Sequence, residues 1–153
     1  MPQLLSARDI DLDIVRGLLR EYEQSLGVDL CFQGFASELA NLPGSYAPPS
    51  GRLLLAWHED EAIGCVALQR VDATRGEMKR LYLKPRARGL GLGRQLVTRI
   101  LEEAQSIGYR EVVLDTLPTM HEAQRLYEQF GFREITPYRA NPIVGSRYMG
   151  KVL

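Results

Sequence analysis

A glycine-rich junction between a strand and a helix constrains this chain more than any other feature of its sequence. Met78–Leu83 has the apolar, β-rich character of a strand, and Pro85 favours a turn directly after it. From about Gly91 the apolar residues recur at the spacing of a helix, at Leu92, Leu96, Val97, Ile100, Leu101 and Ala104. Gly89, Gly91 and Gly93 are therefore predicted to lie where a strand passes into the N-terminus of a helix.

The composition of this junction predicts an anion-binding site. Glycine lets the backbone approach a ligand with no Cβ in the way, and the unpaired N–H groups of the first helical turn favour an anion. No acidic residue occurs between Glu77 and Glu102, although the whole chain has a formal net charge of zero. The basic residues of the same span are Lys79, Arg80, Lys84, Arg86, Arg88, Arg94 and Arg99. We interpret the segment as a cradle for a pyrophosphate; a glycine-rich turn with a solvated basic face is the alternative.

The spacing of the glycines differs from that of two common phosphate-binding motifs. A P-loop ends in Gly-Lys-Ser/Thr, whereas here Arg94 and Gln95 follow the last glycine. A dinucleotide-binding fingerprint opens a βαβ unit with G-x-G-x-x-G, whereas these glycines alternate and follow what look like antiparallel strands. A nucleotide-binding α/β protein is therefore disfavoured.

Length and composition predict a single domain over residues 1–153 in a cytoplasmic protein. Apolar residues make up 45% and charged residues 25% of the chain, as in ordinary globular proteins. The neutral net charge argues against a nucleic-acid partner, and no apolar run is long enough to span a membrane. Cys31 and Cys65 are expected to be reduced, buried thiols. No metal is expected, because neither cysteine, His58 nor His121 has a partner at ligand spacing.

Strands and helices are predicted along the rest of the chain. Strands are expected at Gln3–Ser6, Arg52–Trp57, Ala62–Val71, Arg110–Asp115, Phe132–Thr136 and Gly145–Val152. Helices are expected from a cap at Asp9 or Asp11 to about Leu26, from Cys31 to Asn41, and after a capping box at Thr119–Glu122. The strand-helix-strand order predicts a parallel crossover between Met78–Leu83 and Glu111–Asp115.

Two loops, together with the first pair of helices, are candidates for the walls of an acceptor site. The Pro/Gly-rich segment Leu42–Gly51 is expected to lack regular structure, and a plain connector is the alternative. The Pro-rich loop Pro137–Gly145 joins the last two predicted strands and is expected to contribute to the same pocket.

Two segments resemble those of the GNAT N-acetyltransferases. Arg88–Gly93 is similar to the acyl-CoA signature Arg/Gln-x-x-Gly-x-Gly/Ala, which in that family follows a strand ending in an aliphatic residue and proline, as Leu83–Pro85 does here. Ala123–Phe132 is similar to the family segment Ala-x-x-Leu-Tyr-x-x-x-Gly-Phe. One departure is Met120, because many members carry an asparagine there that helps to hold the cofactor.

The resemblance implies a fold, a cofactor and a reaction. The implied fold class is α/β (α+β), with a mostly antiparallel sheet of about six to seven strands, a central parallel splayed pair and about four helices. The implied cofactor is acetyl-CoA, and the partner is an amine acceptor of a small molecule or peptide. The implied cofactor-binding residues are Leu81, Tyr82, Leu83, Arg88, Gly89, Leu90, Gly91, Leu92, Gly93, Arg94, Ala123 and Tyr127.

The same resemblance places two catalytic candidates. The tyrosine that matches Tyr127 lies beside the thioester sulfur, so Tyr127 is the candidate acid; a core tyrosine is the alternative. Glu77 is the candidate base, because some relatives have a carboxylate at that place, and Glu128 and Asp115 are lesser alternatives. A non-catalytic acyl-CoA-binding sensor or interaction module of the same fold stays open, as does a homodimer.

Overall fold

The computed structural model describes residues 2–30 and 34–153, and within them a seven-stranded sheet carries helices on both faces. The strands are β1 (Gln3–Ser6), β2 (Arg52–His58), β3 (Glu61–Arg70), β4 (Arg75–Leu83), β5 (Glu111–Thr116), β6 (Arg133–Glu134) and β7 (Arg147–Val152). The α-helices of the described residues are α1 (Leu12–Leu26), α2 (Phe35–Ala40), α3 (Leu92–Ile107) and α4 (His121–Gln129). Short 3-10 turns occupy Asp9–Asp11, Gly44–Tyr46 and Pro85–Ala87.

The strand order is β1-β2-β3-β4-β5-β7-β6, and every neighbouring pair is antiparallel except β4 and β5. The chain passes from β4 through α3 to β5, which confirms the parallel crossover that the strand-helix-strand order predicted. This mixed, mostly antiparallel sheet with one central parallel pair confirms the predicted fold class. The parallel crossover was predictable from the change to helical periodicity at the glycine-rich junction, whereas the strand number and the mostly antiparallel order were implied by the family resemblance.

Two apolar cores lie on opposite faces of the sheet. One face of α3 buries the residues Leu92, Leu96, Val97, Ile100, Leu101 and Ala104 against β3, β4 and β5. On the other face, α1 buries Val15, Leu18 and Leu19, and α2 buries Phe35. Each such side chain stabilises the fold by about 1.5–3 kcal/mol when fully removed from water. The sheet is therefore held rigid from both sides, except where β4 and β5 separate.

Local details correct the predicted element ends. Thr119 does not form a capping box, because the turn from Leu117 makes Met120 the N-cap of α4, without a side-chain cap. Asp11 is the N-cap of α1 without a side-chain cap there; its carboxylate instead accepts hydrogen bonds from the Arg8 backbone N–H and guanidinium and so caps the 3-10 turn that precedes α1. The last strand pair is also shorter than expected, since only Arg133–Glu134 pairs as β6.

Two further predictions concern the segment before β2. Leu42–Gly51 was expected to lack regular structure, which is wrong for Gly44–Tyr46, a 3-10 turn that buries the Tyr46 side chain. The short helix expected from Cys31 is described only as α2, and its predicted start and the Cys31 thiol lie outside the described residues. Cys65 is fully buried and reduced, as expected, and burial raises the pKa of its thiol to about 12.

Candidate active site

Strands β4 and β5 separate toward their C-terminal ends. They pair only from Arg75 to Glu77 on β4 and from Glu111 to Val113 on β5. Within the described chain no further pairing joins them, although β4 continues to Leu83 and β5 to Thr116. A gap thus opens in the middle of the sheet, and the strand edges that face it have no hydrogen-bonding partner strand there.

A β-bulge shapes the β4 side of this gap. Cys65 of β3 is opposite Tyr82 and Ala67 is opposite Lys79, so Arg80 and Leu81 together oppose a single residue of β3. Arg80 adopts a left-handed conformation with φ of 62°, which is uncommon for a residue with a side chain. The Cys65 thiol donates a hydrogen bond to the Arg80 carbonyl oxygen at 3.3 Å.

The bulge is secured by a buried ion pair. The Arg80 guanidinium donates to both carboxylate oxygens of Glu38 on α2, at 2.9 and 2.7 Å, and only 2% of its side chain is exposed. Tyr46 adds a third hydrogen bond to Glu38, at 2.9 Å. The two planar charged groups meet side by side, the geometry in which such pairs are strongest. α2 and the 3-10 turn before β2 are therefore tied to the bulge.

Beyond the bulge, two backbone N–H groups of β4 point into the gap. The Lys84 N–H donates to the Ile63 carbonyl of β3 at 2.9 Å. Because alternate N–H groups of a strand point to opposite sides, those of Leu83 and Leu81 are directed away from β3, toward the gap. They form a short row of donors inside the sheet.

The glycine-rich junction forms the predicted cradle at the far end of β4. Gly89 and Gly91 have φ of 80° and 78°, a conformation that favours glycine, and Gly91 is the N-cap of α3. The Gln95 N–H bonds to the Gly91 carbonyl at 3.2 Å, so the N–H groups of the turn before it have no helical partner. A Cβ at Gly93 would contact Leu126 and Leu83 at ordinary distances, so this glycine is not required by packing alone.

Two arginines flank the cradle. Arg88 donates to the Leu83 carbonyl at 3.1 Å and lies over the Tyr82 ring, with 5.8 Å from its guanidinium carbon to the ring centroid. Arg94 lies over the Phe130 ring at 5.2 Å and hydrogen bonds the Gln129 side chain. Both guanidiniums are held by neutral partners, so each brings a full positive charge to the cradle.

An open cleft of about 830 Å³ runs from the cradle to the gap. It lies between α3 and α4, with one side closed by Tyr22 and Leu26 of α1. The predicted cofactor-binding residues that line it are Leu81, Tyr82, Leu83, Arg88, Gly89, Gly91, Leu92, Gly93, Arg94 and Ala123. Leu90 does not line the cleft, since its exposed side chain borders a separate surface depression with Arg86 and Gln95.

A smaller chamber of about 40 Å³ lies at the inner end of the cleft, within the gap. The two spaces share Tyr22, Leu26, Leu81 and Met120 as walls. The chamber has ionisable or polar residues on several sides: Lys79, Arg80, Asp115, Thr116, Tyr127 and Asn141. A water molecule needs about 10–15 Å³ by this measure, so the chamber admits only a small group.

Tyr127 of α4 lines the chamber rather than the cleft. Its side chain is 5% exposed and its ring stacks obliquely on Phe132, with 5.8 Å between ring centroids. Burial raises the pKa of its hydroxyl, and the nearby Tyr22 and Asp115 add to the effect. Tyr127 therefore keeps its proton at neutral pH. Among the described residues no side chain hydrogen bonds this hydroxyl, which leaves it available to a ligand.

Glu77 lies at the base of the gap and is fully buried. One carboxylate oxygen accepts hydrogen bonds from Gln69 at 2.8 Å and Arg139 at 2.5 Å, and the other accepts one from Tyr138 at 2.5 Å. Glu77 thereby anchors the 137–145 loop, which was predicted to contribute to the acceptor pocket. Of the two lesser base candidates, Asp115 accepts one hydrogen bond from Asn141 at 3.0 Å and lines the chamber, whereas Glu128 pairs with Arg147 at 3.1 Å and does not line it.

Several residues of the site were missed by sequence reasoning. The missed residues include Arg125 in the cleft and Lys79 in the chamber, whereas Tyr22, Ser25 and Asn141 lie in elements that were expected to contribute to the acceptor pocket. Sequence analysis counted Lys79 and Arg80 only among the basic residues of the cradle, whereas in the structure both line the chamber. Within the described residues no group of three or more His, Cys, Asp or Glu side chains could hold a metal, and no helix is long and apolar enough to cross a membrane.

The fold and this sequence both match known acetyltransferases. An uncharacterized N-acetyltransferase of Schizosaccharomyces pombe is 46% identical over 141 residues, which cover 91% of this chain and 86% of the relative. An acetyltransferase of the GNAT family from Staphylococcus aureus has the same fold, with a TM-score of 0.83 at 19% identity over 99% of each chain.

A third similar protein was solved with its ligand. A GNAT family acetyltransferase from Elizabethkingia anophelis, with acetyl-CoA bound, has a TM-score of 0.59 at 25% identity over 68% of this chain and 77% of its own. The sequence profile of the acetyltransferase (GNAT) family matches residues 16–132, which include most of α1, the cradle, the gap and α4. This chain is therefore a member of the acetyltransferase (GNAT) family.

Proposed function

We propose that this protein transfers an acetyl group from acetyl-CoA to a primary amine of a small molecule or peptide, by direct attack in a ternary complex. The observation that carries this proposal is the gap between β4 and β5, which connects the cradle and cleft to a chamber lined by ionisable groups. A cofactor in the cleft would present its reactive end to the chamber, where the acceptor would meet it. The acetyl-CoA bound to the Elizabethkingia relative supports the same ligand here.

The cofactor-binding roles follow from the groups that line the cleft. The pyrophosphate takes the free N–H groups from Gly89 to Gly93, with Leu90 contributing through its backbone, and Arg88 and Arg94 supply charge. The pantetheine arm takes the N–H groups of Leu81 and Leu83 and lies beside Tyr82 and Ala123. Bound in this way, an extended arm replaces the strand pairing that β4 lacks beyond Glu77.

The acceptor amine must lose a proton before it attacks. An alkylamine of pKa about 10.4 is neutral in about one molecule of 2,500 at pH 7, which costs about 4.6 kcal/mol. Glu77 is the proposed base, and Asp115 is the alternative that lies nearer the chamber. Both oxygens of Glu77 already accept hydrogen bonds, so its base role requires a water or the Tyr138 hydroxyl as a relay.

Glu77→Gln and Asp115→Asn separate the two bases. The true base is the residue whose loss removes the acid limb of the kcat/KM profile, since that limb reports its protonation. Loss of activity without a change in this limb would assign the residue to positioning. If both variants keep the limb, the proton leaves through bulk water and neither carboxylate is the base.

Tyr127 is the proposed acid that protonates the departing thiolate. Its hydroxyl is buried in the chamber, has no described side-chain partner, and is kept protonated by its raised pKa. A cysteine-like thiol has a pKa of about 8.5, below that of a tyrosine, so full proton transfer to the free thiolate is uphill and the hydroxyl would assist by donating to the sulfur while the C–S bond breaks. This arrangement supports acid catalysis at the end of the reaction and has no evident use in a protein that only binds acyl-CoA.

Tyr127→Phe tests the proposal. The ring and its contact with Phe132 remain, so stability should change little, while kcat falls by about 10²–10⁴-fold and acetyl-CoA affinity by less than about tenfold. Tyr109→Phe is the matched control, because its hydroxyl bonds Ser50 far from the gap and its loss should leave turnover unchanged. Activity is measured at saturating acetyl-CoA with a mixed panel of amines.

An acyl-CoA-binding module is the second candidate, and Met120 favours it. This residue borders both the cleft and the chamber, where an amide side chain would offer hydrogen bonds that a thioether cannot. Tight acetyl-CoA binding with no transfer to any amine of the panel would support the module and contradict the enzyme. Full activity of Tyr127→Phe would remove only the acid role.

A further inference from the structure

The chamber contains one cation that forms no ion pair with a described carboxylate. Lys79 of β4 is half-buried and lines the chamber, and no described residue forms an ion pair or hydrogen bond with its ammonium group. Its two cationic neighbours are both paired, Arg80 with Glu38 and Arg139 with Glu77. Burial lowers the pKa of Lys79, the charges of Arg80 and Arg139 lower it further, and the charges of Glu77 and Glu38 raise it in part. A half-buried ammonium without an ion-pair partner is stabilised further when a bound anion pairs with it.

The opposite side of the gap carries a carboxylate. Lys79 on β4 and Asp115 on β5 both lie two residues beyond the last parallel pair, Glu77 and Val113. Because side chains alternate along a strand, both are on the face from which Glu77 contacts the 137–145 loop. They would be neighbours in a closed sheet, but the separation of the strands leaves them facing each other across the gap without an ion pair.

A third polar group lines the chamber, with its side chain on the opposite face of the sheet from that of Asp115. Thr116 follows Asp115 on β5 and lines the chamber, and its side chain is 3% exposed. Its hydroxyl oxygen is buried and has no hydrogen-bond partner among the described residues. Buried hydroxyls are normally satisfied, so this one is available to a ligand in the chamber.

We propose that the acceptor is an amino acid, whose carboxylate is bound by Lys79 and whose amino group faces Asp115. This inference rests on the proposed function and narrows its acceptor to amines that carry a carboxylate a few atoms away. A cation and an anion on opposite sides of a small chamber match the two charges of a zwitterion. A plain alkylamine would leave Lys79 unpaired, and a second positive charge would lie against Lys79, Arg80 and Arg139.

The test compares each amino acid with its own carboxamide. The two differ by one charge at nearly constant size, so a set of twenty such pairs reports on the carboxylate whatever side chain the site prefers. We expect the preferred free acid to be acetylated with a kcat/KM at least tenfold above that of its amide. Lys79→Met should lower kcat/KM for the acid at least tenfold, mainly through KM, and leave the amide rate unchanged. Lys79→Arg should restore most of the preference.

Controls separate a charge effect from a general one. Lys151→Met removes the same charge from β7, away from the gap, and should keep the preference of the original protein. Equal rates for acids and amides, or equal losses for both in Lys79→Met, would overturn the inference while leaving the acetyltransferase activity intact. Acetylation of Lys79 itself by acetyl-CoA alone, detected by mass spectrometry, would also overturn it.

If no amine is turned over, the proposed function is contradicted, and a binding experiment then tests the carboxylate site by itself. Calorimetry then measures the affinity of the CoA-saturated protein for the same acid and amide pairs. A preference for acids that is lost in Lys79→Met supports the carboxylate site independently of catalysis. Equal affinity for acids and amides overturns it.

Discussion

Replacing Glu38 by alanine tests how strongly the bulge of β4 depends on its buried ion pair. The change removes three hydrogen bonds to one carboxylate, two from Arg80 and one from Tyr46. At about 1.5 kcal/mol each, the lower end for bonds to a charged group, they sum to about 4.5 kcal/mol. That agrees with the loss of about 3–5 kcal/mol expected when a buried cation loses its partner, and the Arg80 side chain is only 2% exposed.

The loss should depend on pH in a defined direction. Burial opposes ionisation of Glu38, but the hydrogen bonds and charge of Arg80 outweigh it, so the pKa of Glu38 is lowered on folding. A lowered pKa means that the pair stabilises the fold fully above the ordinary glutamate pKa of about 4.3 and progressively less as the pH falls through the folded-state value. The difference between the original protein and Glu38→Ala should therefore shrink in acid.

Urea unfolding followed by the fluorescence of the single tryptophan, Trp57, measures both effects. Asp13→Ala is the control, because the Asp13 carboxylate is 95% exposed in its pair with Arg16 and should contribute almost nothing. A loss below about 1 kcal/mol at pH 7, or a loss that stays constant into acid, would refute the conclusion that this ion pair secures the bulge.

The remaining predictions concern the cradle. Gly91→Val should weaken acetyl-CoA binding more than tenfold, about 1.4 kcal/mol, because a branched side chain occupies the ligand's place. Gly108→Val, with a similarly strained φ of 108° at the other end of α3, should lower stability but not affinity; unchanged affinity in Gly91→Val, measured by calorimetry, would refute the cradle. Arg88→Ala and Arg94→Ala should weaken CoA binding more than binding of a pantetheine fragment that lacks the pyrophosphate. Equal losses of affinity for both ligands would show that these arginines belong to a solvated basic surface and do not bind the pyrophosphate.

The parts of the site that were predictable from sequence are those encoded by neighbouring residues. The cradle combines glycines, helical spacing and the absence of acids within one short segment, so Gly89, Gly91 and Gly93 were placed correctly. The partners of Glu77 were not predictable, because Tyr138 and Arg139 lie more than sixty positions away. The bulge at Arg80 was hidden for the same reason.

The position of Lys79 shows the limit most clearly. In the sequence it is one of many basic residues before the glycines, and its charge supports an anion-binding cradle. In the structure the strand alternation puts its side chain on the other side of the sheet from α3, in the chamber. Charge counted along the chain therefore merged two separate electrostatic features, one for each face of the sheet.

The gap between β4 and β5 also places unpaired strand backbone, which most sheets have only at their outer edges, in the interior of the sheet. Unpaired strand backbone is a template for pairing with foreign chains, and proteins usually guard it at the outer edges. Here such backbone lies in the interior, where Tyr22 and Leu26 on one side and Asn141 on another leave only a narrow passage. A slender ligand arm without side chains needs less room there than a polypeptide strand, which projects side chains to both faces. The protein thus keeps unpaired backbone available for ligand binding, while the surrounding side chains limit its pairing with other chains.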